Sequence, residues 1–146
     1  MFLPNGFSTE ATSFKLVKFK VPSQISVFEY PEVIYAFNVH LIDLKKKLAI
    51  QERNQDNLRD QLHSTEWHAG GSNDKQRDSK FKVLLQENEA YQQLERDIFE
   101  LSWHIKTEEA ALDKLTSEFT TAKIKLRNSI LASELFSGLP VNPEER

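Results

Sequence analysis

The chain has four histidines and no cysteine, so a metal site in it would need imidazole and carboxylate ligands. His40 and His104 are expected at similar levels of a helical pair, and His63 and His68 lie near the turn that joins the helices. None of the four shows a spacing to a second ligand that specifies a metal centre. We therefore interpret them as isolated surface histidines, and we expect no metal and no cofactor.

Motifs that would indicate a catalytic site are missing from the sequence. It contains no GxxxxGK[ST] phosphate-binding loop, no GxGxxG dinucleotide fingerprint and no GxSxG nucleophile elbow. We therefore predict no catalytic residues and no enzymatic activity.

Trp67 and His68 precede a Gly-Gly pair and are candidates for contact residues at an exposed tip. An exposed tryptophan is often a contact residue in protein interfaces. The same side chain could instead hold the end of the hairpin together, and the sequence does not favour one interpretation over the other.

The N-terminal 30 residues are rich in aromatic and β-branched residues. We expect an arm of two short strands, Ser13–Val21 and Ile25–Glu29. Rings and lysines alternate in it, a pattern that could bind single-stranded nucleic acid through Phe14, Lys15, Lys18, Phe19 and Lys20. The favoured alternative is that the rings form a small core and the lysines are the solvated side of an edge strand.

The rest of the chain has the apolar periodicity of two long helices. We predict a first helix over residues 31–69, a turn over 70–73, a second helix over 74–136 and a frayed tail over 137–146. Both helices have apolar residues at alternating spacings of three and four, which is typical of helices that pack along a partner. Glu108 interrupts the row in the second helix.

The predicted fold is mainly α, a single domain built as a long antiparallel coiled-coil hairpin with the small β-hairpin arm at its base. Asn73 and Gln76 form a plausible capping box for the second helix. Gln51 and Gln55 are expected to form a polar layer in the seam, a feature that can fix the register of paired helices.

The second helix is predicted to extend well beyond the first, whose start should face residue 111 or so. We expect the apolar row of the overhang to be covered by a second copy of the chain in a homodimer. The predicted dimer interface consists of Leu112, Leu115, Phe119, Ala122, Leu126 and Ile130.

Three stretches carry a resemblance to known proteins: residues 71–78, residues 87–94 and the heptads from Leu112 to Leu126. Together they resemble small, uncharacterised helical-hairpin proteins of bacteriophages and mobile elements. The resemblance covers about residues 30 to 130, and the N-terminal arm departs from it. It implies a non-enzymatic accessory role in DNA metabolism and transfers no functional residue.

The net charge is −3 and the lysines and arginines are scattered, so the chain lacks the clustered positive charge typical of proteins that bind duplex nucleic acid. No signal peptide or membrane span is apparent, so a cytoplasmic location is expected.

Two functions remain open. The preferred one is a structural or interaction protein that oligomerises and presents a hairpin tip to a protein partner, and the alternative is an accessory binder of single-stranded nucleic acid.

Overall fold

The computed structural model describes residues 16–138, and these residues are mainly helical as predicted. An N-terminal segment, residues 16–29, leads into α1 (Tyr30–Glu66). A 3-10 turn (Trp67–Gly70) then precedes α2 (Asp74–Glu87) and α3 (Glu89–Gly138). With 50 residues, α3 is about 75 Å long at ~1.5 Å per residue.

Ring contacts show that α1 runs antiparallel to the two helices that follow it. Tyr30, at the start of α1, stacks on Phe119 of α3 with ring centroids 5.3 Å apart. His63, near the end of α1, lies 5.2 Å from Phe81 of α2. Most of the packing of α1 is against α3, and its pairing reaches further along α3 than the predicted end near residue 111.

The turn is fixed by one glycine and one cap. Gly71 has a φ of 154°, and a Cβ there would lie 2.7 Å from the Cβ of Gln76. Asn73 caps α2 by accepting a hydrogen bond from the backbone N–H of Gln76 at 2.9 Å. The side chain of Gln76 accepts from the N–H of Ser72 at 3.1 Å, one residue earlier than the predicted capping box requires.

The predicted single helix over 74–136 is interrupted at Asn88, whose φ of −76° and ψ of 114° are extended. Its N–H donates to the carbonyl of Leu84, and its side-chain oxygen accepts from the N–H of Tyr91 at 2.8 Å. Asn88 therefore ends α2 and caps α3. Asparagine is among the best N-cap residues, and this local preference overrides the continuous heptad pattern.

The predicted strands are not present in the described residues, and the start of the first one, residues 13–15, lies outside them. Residues 16–21 belong to no helix or strand, and Val27–Glu29 form a turn in which the N–H of Glu29 donates to the carbonyl of Ser26. Phe19 and Ile25 of this segment pack against the helical core, whereas Val17, Val21 and Phe28 are exposed. The strand prediction was wrong because such residues favour any half-buried surface.

The core lies between α1 and α3 and continues beneath the N-terminal segment. Phe37 and Leu101 are fully buried at its centre. The buried cluster consists of Phe37, Leu41, Leu44, Leu101, Ile105 and Leu115, and Leu16, Phe19, Ile25 and Leu112 are among the partly buried residues against it. Residues of the N-terminal segment and of the first turns of α1 thus both pack against the cluster that includes Leu115.

Candidate functional site

The predicted dimer interface on α3 divides into a covered part and an accessible part. Leu115 is only 2 % exposed and Leu112 packs against the same core cluster, so the expectation that a second copy covers them is wrong. Phe119 is half-buried, stacked on Tyr30 and capped by the ammonium of Lys123 at 4.5 Å. The chain itself therefore covers the first half of the predicted overhang.

Beyond Phe119, most large apolar side chains of α3 are exposed in the part of the chain that the structure describes. Ala122 and Leu126 are half-exposed there, and Ile130 is 50 % exposed. Together with the stems of Lys123 and Arg127, Leu126 and Ile130 line an open hollow on the helix surface. The exposed large apolar side chains of this stretch are Ile124, Ile130, Leu131, Leu135 and Phe136. We refer to residues 120–136 as the α3 extension.

A second exposed apolar face lies at the base of the hairpin. Its α1 side consists of Tyr35, Val39 and Ile42, and its α3 side consists of Phe99 and Trp103. In the described residues the arm packs elsewhere, with the ring of Phe19 4.5 Å from that of Phe37.

At the tip, Trp67 takes part in contacts within the hairpin. Its indole N–H donates to the carboxylate of Asp78 at 2.8 Å, and its ring stacks on His63 with centroids 5.0 Å apart. The guanidinium of Arg77 lies over the same ring at 5.1 Å. These contacts favour the interpretation that Trp67 holds the end of the hairpin together, whereas His68 is exposed beside it.

The candidate nucleic-acid residues do not form one exposed surface. Phe14 and Lys15 lie outside the described residues. Lys18 and Lys20 are exposed, but Phe19 is turned into the core and its backbone N–H donates to a carboxylate oxygen of Glu108. The ring that would have to stack on a base is thus part of the core, as in the favoured alternative.

Sequence reasoning missed a polar cluster in the seam. His40, His104 and Glu108 bring their ligand atoms within 4.8 Å of one another, and they are the one such set of three among residues 16–138. His104 is 8 % exposed and Glu108 is 3 % exposed, so the interpretation of His104 as a surface histidine was wrong. The sequence did contain two indications of this cluster, since Glu108 interrupts the apolar seam and lies four residues after His104.

A second buried acid, Asp97, lies further toward the tip. One of its oxygens accepts from the side-chain amide of Gln93 at 2.9 Å, and the other is buried with no hydrogen-bond partner. Burial raises the pKa of Asp97 above its usual value, and the hydrogen bond from Gln93 opposes that shift.

No helix between residues 16 and 138 is apolar over a long enough stretch to cross a bilayer. The chain matches no protein-family model, no curated protein and no solved structure.

Proposed function

We propose that this protein is a non-enzymatic interaction protein that forms a homodimer through the α3 extension. The observation that supports the proposal is the row of exposed aliphatic side chains on a helix that continues past the start of α1. Fully burying one Leu or Ile side chain is worth about 1.5–3 kcal/mol, so several of them in water favour association strongly.

A second copy of the chain suits this surface because it brings an identical row of side chains. Two α3 extensions that cross antiparallel near Leu126 and Ile130 would form a self-complementary two-fold contact. α1 begins beside Phe119, so α1 of each copy does not cover the crossing point. In such a dimer the two hairpin tips point away from each other.

We further propose that the protein partner docks on the apolar face at the base rather than on the tip. Tyr35, Phe99 and Trp103 are exposed there, and large aromatic side chains are enriched among the residues that carry binding energy in interfaces. At the tip the corresponding ring, that of Trp67, is already engaged with Asp78 and His63.

Sedimentation velocity at tens of micromolar tests self-association. We expect the wild-type protein to sediment as a dimer and Ile130→Glu to sediment as a monomer, because the substitution places a charge in the contact. Ile50→Glu is the matched control: Ile50 is 55 % exposed on α1, Ile130 is 50 % exposed, and only Ile130 lies on the α3 extension.

A wild-type protein that sediments as a monomer would contradict the proposal. So would a dimer that Ile130→Glu leaves intact, because the contact would then lie on another surface. Circular dichroism of both variants checks that they retain the helical content of the wild type.

A further inference from the structure

The cluster of His40, His104 and Glu108 joins the two helices of the core. His104 and Glu108 are four residues apart on α3, so their side chains lie on the same face one turn apart. His40 approaches them from α1. All three ligand atoms lie within 4.8 Å of one another.

The histidines of this cluster bury nitrogen atoms that have no hydrogen-bond partner. The Nε2 atoms of His40 and His104 are both inaccessible to solvent and unpaired. Nε2 of His104 lies 3.7 Å from Oε1 of Glu108, which is too long for a hydrogen bond. Buried polar atoms are satisfied in nearly all native structures, so these two indicate a ligand between them.

We propose that His40, His104 and Glu108 bind a divalent transition-metal ion, with Zn²⁺ as the ion that the donor set suits best. Two imidazole nitrogens and one carboxylate oxygen are an established three-ligand set for zinc, which leaves a fourth position for water. Around a tetrahedral ion with bonds of about 2.1 Å, ligand atoms stand roughly 3.4 Å apart. The three atoms therefore need only small side-chain rotations to reach the ion.

The surroundings of the cluster favour a site that is held in place and shielded from water. The backbone N–H of Phe19 donates to Oε1 of Glu108 at 3.3 Å, and such a bond orients a carboxylate ligand. The Phe19 ring lies 5.7 Å from that of His40 and 4.5 Å from that of Phe37. A bound ion would consequently tie α1, α3 and the N-terminal segment together.

The test uses the full chain after treatment with a chelator. We expect one equivalent of Zn²⁺ to bind in equilibrium dialysis and one equivalent of Co²⁺ to give the visible absorption of a tetrahedral site. At about 100 times Kd the melting temperature should rise on the order of 10 °C. The backbone amide of Phe19 should also exchange its hydrogen more slowly when Zn²⁺ is present.

The variants His104→Gln and Glu108→Gln should each weaken Zn²⁺ binding by at least tenfold. The matched controls are His68→Gln, an exposed histidine outside the cluster, and Glu109→Gln, the exposed neighbour of Glu108. Both controls should bind Zn²⁺ as the wild type does. If His104→Gln fails to fold, His40→Gln provides the same test at a half-buried position.

Two results would overturn the proposal. One is a wild-type protein that shows neither Zn²⁺-dependent stabilisation nor a Co²⁺ band, which would leave a buried polar cluster without metal affinity. The other is binding that survives in the cluster variants, which would place the ion elsewhere. The site lies outside the α3 extension, so these outcomes are independent of self-association.

Discussion

Leu115→Ala tests whether the core between α1 and α3 extends as far as Leu115. Leu115 is 2 % exposed and belongs to the buried cluster with Phe37 and Leu101. The start of α1 was expected to face about residue 111, which would have left Leu115 uncovered. Truncation of such a side chain costs about 2–5 kcal/mol, from the lost transfer energy and from the cavity that remains. We expect a loss near the middle of that range, because Leu115 is almost fully buried in the α1–α3 core.

The assay is urea unfolding followed by far-ultraviolet circular dichroism, with wild type and variants at the same protein concentration. Ile50→Ala removes the same number of carbon atoms at a position that is 55 % exposed, and it should change the free energy of unfolding by less than about 0.5 kcal/mol. If Leu115→Ala costs no more than Ile50→Ala, Leu115 is not buried in solution, and the core as described is refuted.

The remaining predictions concern the seam and the turn. Replacing Gln51 and Gln55 by Leu should raise the melting temperature, because a polar layer in a helical seam fixes register at a cost in stability. A large fall in the melting temperature, measured together with the mass by light scattering, would show that the layer is needed for stability. Asp97→Asn should stabilise the protein at neutral pH. The raised pKa of Asp97 means that the folded state binds the proton more tightly, so the stability contributed by the protonated side chain is present in acid and is lost as pH rises through the folded pKa. The difference in stability between variant and wild type should therefore vanish in acid. Gly71→Ala should destabilise the turn by on the order of 1–3 kcal/mol, because its φ is unfavourable for alanine and its Cβ would meet Gln76; an unchanged urea midpoint would contradict this.

The hairpin was predictable because periodicity and turn chemistry agree over long stretches of the chain. The seam residues Leu41, Leu94 and Leu101 are buried as expected, and Pro31 lies within one residue of the start of α1. The cap at Asn73 was also correct. Signals of this kind are local or repeat many times, so one sequence is sufficient to identify them.

The errors have different physical causes. At Asn88 a single strong capping residue interrupted the helix; the seam has a polar residue between Leu84 and Tyr91, but a polar seam position does not by itself predict a break. In the N-terminal segment, residue types that favour strands were used for packing on helices, which only the tertiary structure decides. The polar cluster was missed because its ligands come from two helices and their distance depends on the register between them.

The central claim is an antiparallel dimer through the α3 extension, and pulsed electron paramagnetic resonance tests it most directly. The chain has no cysteine, so Ser129→Cys and Ser79→Cys each provide a single site for a spin label. Labels at residue 129 should lie within about 30 Å of each other, because packed helices are about 8–10 Å apart. Leu126 and Asn88 are about 57 Å apart along the helix, and in the antiparallel dimer this distance runs in opposite directions from the crossing in the two copies. Labels at residue 79 should therefore be separated by more than roughly 100 Å. A short distance between labels at residue 79, or no dipolar coupling at residue 129, would contradict the account.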